Sequence, residues 1–236
     1  MSVPYRLHYA PDNASLIVRL ALTEIGQPFE TVLVNRAAGA HLSAAYLALN
    51  PNGLIPVLET PDGPIFETGA ILLWLADRHG QLAPAPDSPE RAAFLKWHFR
   101  VANTLHPALR MRLRPDRYTG ADTAAQAALR AHMKTEIAGE LDKLEKVAGT
   151  GPGWLGGPAP SVIDFYLACL LRWLTLYPAP DGGAGWLDLR DWPHLHAMAA
   201  RLEHCPSVRA AIRAEGLGPH PFTAPEYATP PEGSAT

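Results

Sequence analysis

The stretch NPNGLIPVLETPDGPIFETGAI, residues 50–71, predicts a turn, a strand, a second turn, a second strand and the start of a helix. Asn52 and Gly53 supply the first turn. Pro56 stands at the beginning of the strand VLE, a position that tolerates its missing N–H. A cis Ile55–Pro56 bond would leave the N–H and C=O of Ile55 able to pair with an extended, peptide-like ligand. The alternative is an ordinary trans turn before the strand.

Glu67 and Thr68 stand where the helix of this stretch begins. The N-terminus of a helix presents backbone N–H groups and the positive end of the helix dipole, and a threonine hydroxyl adds another donor. These groups suit a carboxylate. The alternative role of Thr68 is to cap the helix. The stretch therefore predicts a peptide-pairing edge and a carboxylate-binding helix end a few residues apart.

Composition and charge are those of an ordinary globular protein. The chain has 236 residues, of which 47% are hydrophobic and 18% charged, and its formal net charge is −3. Because Lys and Arg are scattered, we expect no nucleic-acid partner. The N-terminus lacks a secretory pattern and no long apolar run occurs, which predicts a cytoplasmic protein without membrane contact. Cys169 and Cys205 form no CxxC pair, so neither a disulfide framework nor a metal site is expected.

The chain divides into two regions with different sequence patterns. Up to residue 82, strand-like runs alternate with helical patterns in the order β-α-β-α-β-β-α, which predicts an α/β domain over 1–82. A linker rich in Pro and Ala follows at 83–89. Beyond it, periodic segments predict an all-helical domain over 90–218, with helices at about 88–113, 122–147, 161–177, 192–204 and 206–215. Residues 219–236 are rich in Pro, Gly and Thr and predict an extended or disordered tail.

This organisation resembles the cytosolic glutathione transferase family over about residues 5–216. The motifs that carry the resemblance are NPNGLIPVL, FETGAILLWLAD and SVIDFYLA. The resemblance implies a thioredoxin-like first domain with a cis-proline at Pro56, and glutathione as co-substrate. It also implies that Ile55 pairs with the cysteinyl backbone of glutathione, and that Glu67 and Thr68 hold its γ-glutamyl end.

Other site residues follow from the same resemblance. The glycyl carboxylate of glutathione needs a basic or polar partner near the second helix, where Arg36 and His41 are the candidates. The segment WHFRVANTLHPALRMRLRPD resembles a helix of the bacterial beta-class transferases and implies that His106 faces the active site. Alternatively, His106 is a structural residue before Pro107, which departs from the class pattern. Arg110 and Arg112 flank the cleft in this interpretation, but we leave them out of the site because most helical arginines are solvated.

In the segment SVIDFYLA, Ser161 and Asp164 have the spacing of a capping box, so we assign them to helix stability rather than chemistry.

The thiol-activating residue is left open by the segment YAPDNASLIVR. Ala14 stands where beta-class members carry a catalytic cysteine, which excludes a mixed disulfide at that position. Ser15, Asn13 and Tyr9 are the candidates for contact with the glutathione thiolate, in that order. Each also has a structural alternative, because Asn13 or Ser15 can cap the first helix and Tyr9 can fill the core. A hydrogen-bonded thiolate is therefore expected rather than a covalent one.

Together these features predict a glutathione transferase that acts on a small hydrophobic electrophile and forms a homodimer. The alternative is a catalytically weak glutathione-binding, ligand-carrying or regulatory module of the same fold. Fold and co-substrate are shared by many chemistries, so the electrophile is not predicted.

Overall fold

The computed structural model describes residues 5–177 and 186–229. In its first part, a β-α-β unit is followed by a β-hairpin and a helix. The elements are β1 (Tyr5–Tyr9), α1 (Ser15–Ile25), β2 (Phe29–Leu33), α2 (Ala44–Leu47), β3 (Val57–Thr60), β4 (Gly63–Phe66) and α3 (Thr68–His79). A short 3-10 turn, Ala40–Leu42, precedes α2. Helix α2 is thus a single turn of α-helix.

The strands form one sheet in the order β2-β1-β3-β4. β1 and β2 are parallel, whereas β3 pairs antiparallel with both β1 and β4. This is the thioredoxin-like arrangement that the family resemblance implies. Helix α1 crosses from β1 to β2 because parallel neighbours need a crossover connection.

The second part is helical. Its elements are α4 (Arg91–Arg100), α5 (His106–Leu113), α6 (Asp116–Thr119), α7 (Thr123–Gly149), α8 (Val162–Leu176), α9 (Pro193–Leu202) and α10 (Pro206–Glu215). A π-helical turn, Val101–Leu105, joins α4 to α5 just before Pro107. Such a turn accommodates a proline, which cannot donate to the preceding helical turn. The helix therefore continues through Pro107, as the predicted span of 88–113 requires.

Helix α8 is the centre of the core. Every residue of α8 except Thr175 is buried, and α8 packs against α1, α3, α5 and α9. The predicted capping box is present, with Ser161 accepting from the N–H of Asp164 and Asp164 accepting from the N–H of Ser161. A helix that is apolar around its whole circumference needs this central position.

No helix or strand occurs between His79 and Arg91, the stretch that contains the predicted linker 83–89. The domain limits themselves stay a prediction. In the predicted tail, residues 219–229 lack regular elements but pack on the helices, with Phe222 and Ala228 buried. Residues 230–236 of that tail lie outside the described part of the chain.

Candidate functional site

A cavity of about 1060 Å³ lies between the sheet domain and the helices. Its walls come from the start of α1, the segment from Arg36 to Pro56, the start of α3, and the helices α4, α5, α6 and α8. All the predicted glutathione-binding residues line it: Arg36, His41, Ile55, Pro56, Glu67 and Thr68. Of the four predicted catalytic residues, Asn13 and His106 line it.

The turn before β3 presents a backbone edge to the cavity. The Ile55–Pro56 peptide bond is cis. Pairing of β3 with β1 and β4 begins at Val57, so Ile55 lies outside both ladders. The C=O of Leu54 accepts hydrogen bonds from the Tyr46 hydroxyl and the Asn50 side-chain amide, both at 2.8 Å. These bonds fix the turn beside Ile55, which lines the cavity.

Gly53 makes this turn possible. Its φ is +61°, and a Cβ there would lie 3.1 Å from the backbone oxygen of His41. Any other residue would be strained and crowded. The close approach also keeps His41 beside the turn, where both residues line the cavity.

The start of α3 faces the same space. Glu67 precedes the helix with a φ of +71° and a ψ of 111°, an uncommon backbone conformation for a residue other than glycine. Thr68, the first residue of α3, is buried. The imidazole of His98 donates to the C=O of Gly69 at 2.9 Å and ties α3 to α4. Burial lowers the pKa of His98, which keeps this imidazole neutral.

The loop before α1 brings Asn13 and Ala14 to the cavity. The side-chain oxygen of Asn13 accepts from the N–H of Ala14 at 2.7 Å. Its amide NH₂ group thus keeps donor capacity toward a ligand. The N–H groups of Leu16 and Ile17 donate to the C=O groups of Asn13 and Ala14 within the turn, so the Asn13 amide is the side-chain donor that this helix end presents to the cavity.

Two of the predicted thiolate contacts, Ser15 and Tyr9, lie outside the cavity lining. Ser15 is fully buried and does not line the cavity. Its hydroxyl donates to the C=O of Ala10 at 3.1 Å and accepts from the N–H of Ala10 at 3.3 Å. Tyr9 also lies outside the cavity lining, and its ring packs under the Arg19 guanidinium at 4.8 Å from the ring centroid. Tyr9 thus packs against the core, which was its alternative role, whereas Ser15 bonds to Ala10 and does not cap α1.

A buried polar network, missed by sequence reasoning, holds this loop. Asp12, whose φ is +51°, accepts two hydrogen bonds from Arg172 at 2.8 and 2.9 Å and one from the Trp173 indole at 2.7 Å. Its N–H donates to Glu215, which is paired with Arg19. The signal was an arginine, Arg172, inside the apolar run of α8. The network connects the loop before α1 to α8 and α10.

His106 forms a hydrogen-bonded pair with Tyr166, which sequence reasoning also missed. The Nδ1 atom of His106 lies 2.8 Å from the Tyr166 hydroxyl, and both residues line the cavity. Burial, with a smaller effect of Arg110, lowers the pKa of His106 to about 4. Burial, with a smaller effect of Glu67, raises the pKa of Tyr166. Both groups are therefore neutral near pH 7, so the pair supplies a hydrogen-bond donor rather than a charge.

Arginines dominate the charge of the cavity wall. Arg110, Arg114 and Arg117 line it from α5 and α6, and Arg36 lines it from the β2–α2 segment. Arg110 was excluded at first as a solvated helical residue, and the structure corrects this. Arg112 points the other way, bonding to the C=O of Arg130 and stacking on Trp186.

Both cysteines lie away from the cavity. Burial raises the pKa of the Cys169 thiol well above its usual value. Within residues 5–177 and 186–229, no group of three or more His, Cys, Asp or Glu side chains is placed to hold a metal ion. In the same ranges, no helix has the length and apolar character that a membrane span requires.

Comparison with known proteins places this geometry in a family. Residues 14–78 match the glutathione S-transferase N-terminal domain, and residues 126–199 match the glutathione S-transferase C-terminal domain. The chain is 30% identical to glutathione S-transferase GstA of Escherichia coli O157:H7 over 216 residues, which cover 90% of this chain and 99% of the relative.

Solved structures agree. A sphingomonad glutathione S-transferase complexed with glutathione is 30% identical, with a TM-score of 0.71, over 90% of this chain and 100% of that one. A bacterial beta-class glutathione S-transferase of Sphingomonas chungbukensis is 29% identical, with a TM-score of 0.70, over 89% of this chain and 98% of that one. The chain therefore belongs to the glutathione S-transferase family and is structurally close to its bacterial beta-class members.

Proposed function

We propose that the protein is a glutathione transferase that activates the glutathione thiol for attack on a small hydrophobic electrophile. One observation carries the proposal. The Ile55 backbone edge, the start of α3 and the start of α1 all line one cavity. The Ile55 edge matches an extended peptide, the start of α3 matches the terminal carboxylate of that peptide, and the start of α1 matches its thiol.

In this proposal glutathione lies along the sheet domain. Its cysteinyl backbone pairs with Ile55, a small case of strand addition. Its γ-glutamyl group lies at the start of α3, where the Thr68 hydroxyl and the helix N–H groups bind the carboxylate and Glu67 binds the ammonium. Its glycyl carboxylate lies toward Arg36 and His41. The glutathione bound in the sphingomonad relative supports this choice of co-substrate.

The thiol then lies toward Asn13 and the start of α1. Hydrogen-bond donors favour the charged form of a thiol and lower its pKa. A thiol has an ordinary pKa of about 8.5, and lowering it by two units requires about 2.7 kcal/mol. One or two charge-assisted hydrogen bonds, at about 1.5–3 kcal/mol each, suffice. A general base is therefore unnecessary.

The His106–Tyr166 pair serves the second substrate. When neutral His106 carries its proton on Nε2, the Tyr166 hydroxyl donates to Nδ1 and the Nε2–H group is the donor to a ligand. When His106 carries its proton on Nδ1, that N–H donates to the Tyr166 oxygen and the Tyr166 hydroxyl is the donor to a ligand. Either arrangement directs one neutral donor into the cavity. Such a donor stabilises negative charge that develops on an electrophile during thiolate attack.

Apolar side chains supply the remaining wall. Leu113 and the exposed side chains of Leu42, Phe99 and Tyr118 line the cavity. An apolar surface of this kind favours a hydrophobic electrophile.

Calorimetric titration with glutathione tests the site. We expect the parent to bind glutathione, and Thr68→Val and Glu67→Gln to weaken the affinity by about tenfold, the effect of one lost charge-assisted bond. Thr123→Val is the matched control because Thr123 is also the first residue of a helix, α7, but lies outside the cavity. Glu136→Gln, on the exposed side of α7, controls for the lost charge. Equal affinities in all variants would contradict the assignment.

Turnover distinguishes the enzyme from the binding module. The assay offers a generic aromatic halide, a hydroperoxide and a glutathionyl-quinone with glutathione. We expect turnover of at least one, and a loss of turnover in Asn13→Ala greater than the loss of glutathione affinity. Intact binding without turnover of any substrate would favour the catalytically weak module.

A further inference from the structure

The cavity is lined by three arginines from α5, α6 and the turn between them. Arg110 belongs to α5, Arg117 to α6, and Arg114 lies between the two helices. The helix ends before Arg114, whose φ of −128° and ψ of 57° are not helical. All three line the cavity, and we refer to them as the arginine cluster.

The cluster is only partly neutralised by the protein. Arg114 forms two hydrogen bonds with Asp116, at 3.1 and 3.0 Å. Arg110 and Arg117 have no hydrogen bond or ion pair to any side chain in the described ranges. Their charge acts inside the cavity, since Arg117 and Arg114 add to burial in lowering the pKa of Arg36, and Arg110 does the same for His106.

The acidic residues of the cavity do not balance this charge. Only Glu67 and Asp77 line it among the described residues. Asp77 accepts from Arg91 at 2.8 Å and is already paired. Glu67 lies at the start of α3, which the proposed glutathione pose assigns to the γ-glutamyl ammonium. A surplus of positive charge thus remains on the wall beyond the glutathione site.

Apolar surface lies beside the cluster. Leu113 and Pro107 come from α5, and Tyr118, 47% exposed, comes from α6. Phe99, 49% exposed, faces the same cavity from α4. A ligand that satisfies both surfaces has an apolar body and an anionic group.

We propose that the co-substrate carries a carboxylate on an aromatic or aliphatic body, and that Arg110 and Arg117 bind this carboxylate. This inference rests on the proposed glutathione site, because it concerns the part of the cavity that glutathione leaves unoccupied. The carboxylate accepts hydrogen bonds from the two guanidinium groups, and the body packs on Leu113 and Tyr118. Guanidinium geometry suits a planar carboxylate better than a compact ammonium group does.

The experiment compares two conjugates that differ in one group. S-(4-methylbenzyl)glutathione and S-(4-carboxybenzyl)glutathione are titrated into the full chain by calorimetry, alongside glutathione. In the parent we expect the carboxybenzyl conjugate to bind about tenfold more tightly, equivalent to about 1.4 kcal/mol. The preference should shrink as salt is raised.

Arginine variants locate the effect. Arg110→Met and Arg117→Met should each reduce the preference to about threefold or less, and the double variant should remove it, since the two guanidinium groups together account for the tenfold preference. The affinity for the methylbenzyl conjugate should stay within about twofold, because that ligand makes no charged contact with the cluster. Arg110→Lys should restore part of the preference. Arg213→Met, on the exposed side of α10, should behave as the parent.

The calorimetric results separate failure of the carboxylate inference from failure of the proposed function. Equal binding of the two conjugates in the parent, or a preference that survives in the double variant, would overturn the inference while glutathione binding still stood. Failure of glutathione and both conjugates to bind would overturn the proposed function, and this inference with it.

Discussion

Arg172 donates to both carboxylate oxygens of Asp12, at 2.8 and 2.9 Å, from a position 160 residues away in the chain. Both side chains have no solvent exposure. Asp12 immediately precedes Asn13, so the pair sets the backbone that presents Asn13 to the cavity. The same arginine donates to the C=O groups of Leu217, Pro221 and Glu226, and so anchors the C-terminal segment as well.

Breaking this pair should be costly. In Asp12→Asn the Arg172 charge stays buried without a counter-charge, and we expect the free energy of unfolding in urea to fall by about 3–5 kcal/mol. Asp87→Asn is the control, since Asp87 is exposed, and should change stability by less than about 0.5 kcal/mol. A loss below about 1 kcal/mol in Asp12→Asn would show that the pair does not hold the loop.

The packing of α3 on α4 depends on a glycine. A Cβ at Gly69 would lie 3.0 Å from the Cβ of Ala102, in the π-helical turn after α4, which is tighter than most Cβ contacts. Gly69→Ala should therefore destabilise the fold by about 1–3 kcal/mol in urea unfolding. Gly139→Ala in α7 meets nothing within 4 Å and should instead stabilise by about 0.5–1 kcal/mol. Equal effects at the two positions would contradict the close contact of α3 and α4.

His106 makes stability depend on pH. Its pKa is lowered to about 4 in the folded protein, mainly by burial. In the unfolded chain His106 takes up a proton near pH 6.5, which the folded chain does not. The stability from this group is therefore present above pH 6.5 and is lost as the pH falls from 6.5 to about 4.

His106→Asn tests that dependence. Between pH 6.5 and 4, the variant should lose stability more slowly than the parent, by up to about 1.4 kcal/mol per pH unit. The pKa of His98 is also lowered by burial, and its contribution to the pH dependence of stability is the same in the parent and in the variant. Identical slopes in parent and variant would show that His106 is protonated as readily in the folded state.

The oligomeric state is a separate expectation. The exposed side chain of Phe99 on α4 and the partly buried Leu73 and Trp74 on α3 lie on the helices expected to form a two-fold interface. Sedimentation at micromolar concentration should give a mass about twice the 25.5 kDa of the chain. A species at the single-chain mass would exclude the homodimer.

Local sequence patterns predicted those parts of the candidate site whose geometry is determined by a single short segment. The turn at Asn52 and Gly53, the edge at Ile55 and the helix start at Thr68 are all specified within a few neighbouring residues. The burial of Ser15 was not predicted, because the loop before α1 is shaped by Arg172, far away in the sequence, and the Ser15 hydroxyl donates to the C=O of Ala10.

Helical faces were harder to predict. Arg110 and Arg112 look equivalent in sequence, yet one lines the cavity and the other stacks on Trp186. Tyr166 was overlooked because the capping box explains the segment SVIDFYLA without it. Which face of α5 or α8 meets the sheet domain depends on tertiary packing, and periodicity does not encode it.

The pKa of the bound glutathione thiol shows whether the protein activates it through Asn13. The ultraviolet absorbance of the glutathione thiolate is titrated against pH in the complex with the parent, Asn13→Ala, Ser15→Ala and Tyr9→Phe. We expect a parent pKa about two units below the ordinary value of about 8.5. Asn13→Ala should raise it by about a unit or more, because one charge-assisted bond is lost. Ser15→Ala and Tyr9→Phe should leave it unchanged, and an unshifted thiol pKa in the parent complex would exclude activation by hydrogen bonding.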